Sequence, residues 1–181
     1  MIKFKKEEQE GIEIYRCVNA NNGRKAKKNI ILFIYGKHMC NEPVFDEERH
    51  IYIYPQCFKG RPYRGFINSV SNTFKLNNVY YMFDCGDEGV ISIINKINPE
   101  LIYVFDSKLK ERIVLKCSTK TQLYELPDPV LNRNNSTNDM FRIYNFIEVL
   151  KGLMSINVYD IDEGLHFLKK YIINIWINLN Y

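Results

Sequence analysis

The stretch from Val79 to Phe105 constrains the fold more than any other part of the chain. Val79-Tyr-Tyr-Met-Phe83 is a short run of aromatic and apolar residues, Asp84-Cys-Gly-Asp-Glu-Gly89 is polar and glycine-containing, and Leu101-Ile-Tyr-Val-Phe105 is a second apolar run. Apolar runs of this length, rich in β-branched and aromatic residues, read as buried strands. Between them Val90–Ile97 suits a short helix that stops near Asn98-Pro99, since the residue before proline avoids helical dihedrals. A strand–loop–helix–strand series joins parallel strands, because a crossover of this length carries the chain back to the same end of the sheet.

Other segments extend this unit. Ile30-Ile-Leu-Phe-Ile-Tyr35, bounded by Asn29 and Gly36, reads as a third buried strand, and His50–Tyr54 alternates and stops at Pro55. Residues 1–16 read as a charged lead-in ending in the alternating segment Ile12-Glu-Ile-Tyr15. Gln56–Gly65 carries Gly60, Pro62 and Gly65 and reads as irregular, followed by a short helix over Phe66–Phe74. Ser107–Lys110 reads as a tight turn into an antiparallel strand over Arg112–Cys117. Pro127 and Pro129 open a long loop, residues 127–138, before two C-terminal helices. Ser136-Thr-Asn-Asp139 has the spacing of a capping box ahead of Met140–Leu153. Leu165, Leu168, Ile172, Ile175 and Leu179 form an amphipathic stripe with alternating spacings of three and four. The expected fold is therefore α/β (or α+β): a mixed, centrally parallel sheet flanked by helices. At 181 residues without internal repeats, one domain spanning 1–181 is expected.

Composition narrows the function classes. The net charge of +4 falls short of the strong basicity of dedicated nucleic-acid domains. No apolar run reaches the ~18–20 residues of a membrane span, so no membrane partner is expected. The N-terminus is charged but lacks an apolar segment behind it, which favours a cytoplasmic setting. Five cysteines, an odd number without a C-x-x-C pair, suit reduced and mostly buried thiols. The chain has 23 Ile, 20 Asn and 17 Lys but only two Ala, which is the mark of AT-rich codons and fits a mobile element or virus among other sources. That bias also weakens any argument from lysine-rich segments alone.

Two constellations bear on function. Asp84 and Asp106 each follow an apolar strand, and in open α/β sheets ligands bind beyond the carboxyl ends of strands. If those strands are neighbours, their ends lie roughly 5 Å apart, and Asp87 from the intervening loop joins them. Three carboxylates there suit Mg²⁺ or Mn²⁺, with His38 or a metal-bound hydroxide as base, and the chemistry would be that of a divalent-metal-dependent nuclease or another phosphodiester-processing enzyme. Two of these aspartates have ordinary local roles as well: Asp87 opens a helix, and Asp106-Ser107 suits a β-turn. Cys85, in the same loop, reads as a buried inert thiol because the neighbouring acids disfavour a thiolate.

The second constellation is basic and aromatic. Arg24, Lys25 and Lys27 lie in an early polar loop, and Lys59-Gly-Arg61-Pro-Tyr63-Arg64 mixes guanidinium groups with an aromatic ring. Such segments suit phosphate contacts with base stacking, or contacts with a protein partner. The acids have cheap structural explanations and no catalytic motif stands out. The leading expectation is thus a small binding or inhibitor protein that contacts protein or nucleic acid, with the nuclease as the alternative. The wide apolar arc of the last helix, residues 165–179 with Trp176, offers a homodimer face.

Overall fold

The computed structural model describes residues 2–19, 30–36, 44–46, 51–53, 61–76, 78–116, 121–127 and 137–179. Its centre is a six-stranded mixed sheet. In chain order the strands are β1 (Ile2–Gln9), β2 (Ile12–Asn19), β3 (Ile31–Tyr35), β6 (Val79–Phe83), β7 (Leu101–Val104) and β8 (Gln122–Glu125). They lie side by side as β1-β2-β6-β3-β7-β8. The four strands β6, β3, β7 and β8 run parallel, while β2 joins β6 antiparallel and β1 pairs back on β2. A separate antiparallel pair, β4 (Val44–Asp46) and β5 (Ile51–Ile53), makes a second small sheet.

β3 sits at the middle because it can be buried on both faces: all five of its residues are buried. A strand covered on both sides has no use for polar alternation, which is why Ile31–Tyr35 is continuously apolar. Alternate residues still go to different cores. Phe33 and Tyr35 pack with Tyr81, Tyr103 and Phe105 beneath α1 (Arg61–Thr73), α4 (Thr137–Ser155) and α5 (Ile161–Leu179). Leu32 and Ile34 face the other way, with Met82, Ile102 and Val104, beneath α2 (Asp87–Ile97) and α3 (Ser107–Lys116). The chain runs from β3 through α1 to β6, then α2 carries it back across β3 to β7, and α3 leads on to β8. Helices therefore cover both faces, and the direction of winding reverses between β3 and β7.

Four local readings are corrected. The expected charged lead-in is instead, from Ile2 on, most of a β-hairpin: Glu10 and Gly11 both take positive φ, 55° and 77°, the geometry of a two-residue turn matched to strand twist. Helix α1 starts at Arg61, earlier than Phe66, because Pro62 falls in the first turn, where its missing N–H costs nothing. Ser107–Lys116 is a helix rather than a turn and an antiparallel strand; Leu109 and Ile113, four apart, are the buried pair that a strand reading overlooks. β8 is consequently parallel to β7. Finally, β6 and β7 are not neighbours, since β3 lies between them.

The helix ends follow expectation more closely. α2 stops at Asn98, left-handed with φ 50°, whose N–H donates to the Ile94 carbonyl at 2.8 Å just ahead of Pro99. α4 begins at Thr137, next to the expected cap. It packs so closely on β7 that a Cβ on Gly152 would lie 2.4 Å from the Tyr103 hydroxyl oxygen. That hydroxyl donates to the Val149 carbonyl.

Candidate functional site: the carboxyl edge of the sheet

The parallel strands all end on one edge. The ladder continues slightly past them, through Asp84 N–H to Tyr35 O at 2.8 Å, Phe105 N–H to Ile34 O at 3.1 Å and Leu126 N–H to Val104 O at 2.8 Å. Asp84 and Asp106 do emerge on this common edge. With β3 between their strands, however, they are about two strand spacings apart, roughly 10 Å from backbone to backbone across the sheet, not one.

Each acid has a defined partner. Asp106 stands directly before α3, and its Oδ1 accepts the N–H groups of Lys108 at 2.9 Å and Leu109 at 3.2 Å. That is an N-cap, a helix start rather than the β-turn its sequence suggests. Asp84 accepts the Gly86 N–H on Oδ1 at 3.0 Å, which holds the turn where Gly86 takes φ 96°. Its Oδ2 receives Arg112 Nη2 at 2.6 Å. Arg112 Nη1 also lies 2.9 Å from Asp87 Oδ1, and Lys116 Nζ lies 2.7 Å from Asp87 Oδ2. Two cations one helical turn apart on α3 thus clamp the acids at the start of α2. The Lys116 ammonium, with help from Arg112, holds the Asp87 carboxyl below its ordinary value, and the bond to Asp84 pushes the Arg112 guanidinium higher still.

The sequence pattern suggests a strand over Arg112–Cys117, which gives neither Arg112 nor Lys116 a place in this clamp. The available signal was the helical spacing of Leu109 with Ile113 and of Arg112 with Lys116, which turns one face inward and the cations toward α2. Cys85 is exposed rather than buried. Partial burial of its Sγ and the Asp84 charge push its thiol pKa up, the opposite of an activated nucleophile.

α1 reaches the same edge. Its C-terminal end connects to the start of β6 within a few residues, so its thirteen residues, ~20 Å of helix, bring the N-terminal turn to the carboxyl end of the sheet. Phe66 confirms the placement by packing edge-on against Phe105 at 5.9 Å. Arg61, Tyr63 and Arg64 therefore fall within the opening turn of α1, in a turn that holds no acidic residue. Arg24, Lys25, Lys27 and His38 lie outside the described residues. Among the described residues, no three His, Cys, Asp or Glu side chains gather closely enough to hold a metal ion. Among them, too, no helix is long and apolar enough to cross a membrane.

Fold and edge together define an α/β protein with helices on both faces of a mostly parallel sheet, whose carboxyl edge carries an internally paired acidic cluster beside a basic helix start. No protein-family model matches the chain, and no curated protein or solved structure matches it significantly.

Proposed function

We propose that this chain acts by binding rather than by chemistry, and that its carboxyl edge receives an anionic macromolecular surface, nucleic acid or an acidic face of a protein. The observation that carries this reading is that the acids an enzyme would need there are already engaged: Asp106 caps α3, and Asp84 and Asp87 are neutralised by Arg112 and Lys116. A divalent cation would have to displace those two side chains before reaching the carboxylates. The opening turn of α1 supplies the attraction. A helix N-terminus carries positive partial charge and is ordinarily balanced by acids, yet this one carries Arg61 and Arg64 instead. An incoming phosphate or carboxylate would supply the missing negative charge.

The test uses end-labelled single- and double-stranded RNA and DNA, with retention on a heparin column as a general polyanion probe. The expected result is a salt-sensitive shift or retention that falls sharply in Arg61→Ala/Arg64→Ala and much less in the charge-matched control Lys5→Ala/Lys96→Ala. Equal losses in the two double variants would overturn the reading, since they would mean attraction by net charge alone. Metal-dependent cleavage lost in Asp84→Ala would overturn it in favour of the nuclease.

A further inference from the structure

Among the described residues, the last helix leaves part of an apolar seam exposed. α5 docks through Gly164, Phe167, Leu168 and Tyr171: Gly164 lies against Met154, Phe167 packs at 5.1 Å on Tyr159, and Tyr171 stacks on Phe146 at 4.4 Å. The exposed part of the stripe lies beside this docking face, with Leu168 shared between them. Ile161, Leu165 and Ile172 are 67%, 59% and 42% exposed, with Leu168 half-buried between the two faces. Ile161, Leu165, Leu168, Ile172, Ile175 and Leu179 are spaced 4, 3, 4, 3 and 4 residues apart. That is the heptad spacing of a coiled-coil seam, with the exposed Ile173 and Ile177 widening it on one side.

The flanks of the seam say what covers it. On one side the flanking positions are Gly164 and Tyr171, which are occupied by the protein's own core. On the other side they are Asp162 and Lys169, both exposed. In an antiparallel pair of helices, equivalent flanking positions face each other across the seam. We propose that a second copy of this chain docks antiparallel on α5, about a two-fold axis passing between residues 166 and 167. Ile161 then meets the second copy's Ile172, Leu165 meets its Leu168, and Asp162 meets its Lys169, with each contact made twice. A parallel pair would set Asp162 and Lys169 against the flank that is already docked, leaving both unpaired. Antiparallel approach also opposes the two helix dipoles. The interface is isologous and closed, and it shares no residue with the carboxyl edge, so its fate is independent of the proposed function.

A contact of three helical turns belongs to the small, weak end of protein interfaces, so association is sought by sedimentation velocity up to ~300 µM. The unmodified chain is expected to shift from monomer to dimer across that series. Leu165→Ser is expected to remain monomeric while keeping its circular dichroism spectrum, because that side chain is mostly exposed. Lys169→Asp turns two attractive contacts into two repulsive ones and is expected to weaken the dimer by about tenfold. Adding Asp162→Lys to it restores the complementary pairs and should recover the dimer. A monomeric unmodified chain at every concentration, a Leu165→Ser variant that still dimerises, or a double exchange that recovers nothing would each overturn the proposal.

Discussion

Asp106 separates a structural carboxylate from a chemical one, and substitution there tests the distinction directly. Its Oδ1 satisfies two N–H groups at the start of α3, Lys108 at 2.9 Å and Leu109 at 3.2 Å. Removal of an N-cap by alanine costs roughly 1 kcal/mol, with a range of about 0.5–2. The negative charge at the positive end of the helix adds about 0.3–1 kcal/mol at a surface position. Asp106→Ala should therefore destabilise by about 1–2 kcal/mol, which for a chain of this size lowers Tm by roughly 2–8 °C. Asp106→Asn keeps an acceptor in the same place and loses only the charge, so it should cost about 0.3–1 kcal/mol. Urea unfolding followed by circular dichroism, with thermal melts alongside, ranks the three proteins. The expected order is the native chain, then Asn, then Ala, unchanged by Mg²⁺. A cation ligand behaves otherwise: Asn and Ala fall together, and Mg²⁺ raises the Tm of the native chain alone. Either that pattern or an Ala variant as stable as the native chain would refute the capping argument.

Three further outcomes follow from the packing and the charges. Gly152→Ala improves helix propensity by up to ~1 kcal/mol, yet its Cβ would fall 2.4 Å from the buried Tyr103 hydroxyl, so a net loss of about 1–3 kcal/mol is expected in urea unfolding. The carboxyl of Asp87 is held low in the folded state, so its contribution is complete above the ordinary carboxylate range and lost as pH falls through it; Lys116→Met should flatten the stability profile below about pH 4. Burial pushes Tyr159 up to about 12 and Tyr103 well above its ordinary value, so the unfolded chain ionises first and stability should fall as pH rises from about 10. An absorbance titration at alkaline pH should show a fraction of tyrosines resisting ionisation until unfolding, and that fraction should shrink in Tyr159→Phe.

The parts of the fold that were legible in the sequence are those where one residue pattern has a single physical outcome. Ile31–Tyr35 and Leu101–Val104 are too apolar and too short to be anything but doubly covered strands, and Asn98-Pro99 leaves a helix nowhere to continue. Ser107–Lys116 shows the opposite case. Its charged residues Lys108, Lys110, Glu111 and Arg112 dilute the helical pair Leu109 and Ile113, and a polar start after a strand is shared by hairpins and by capped helices. As a strand that segment would give its cations no reason to face α2 and would leave the acids at the edge available.

Strand order is the other quantity the sequence could not supply. Adjacency along the chain put Val79–Phe83 beside Leu101–Phe105, and the βαβ pattern between them is equally satisfied when the crossover skips a strand. Insertion of β3 decides between these arrangements, and burial permits it: all five residues of Ile31–Tyr35 are buried, and the strand takes β6 and β7 as parallel neighbours on its two sides. The consequence reaches the site. With β3 in the middle the two strand-end aspartates are held apart: Asp106 caps α3, while Asp84 holds the Gly86 turn ahead of α2 and pairs with Arg112 of α3. At the same edge the first turn of α1 holds Arg61 and Arg64 and no acidic residue, although a helix start favours negative charge.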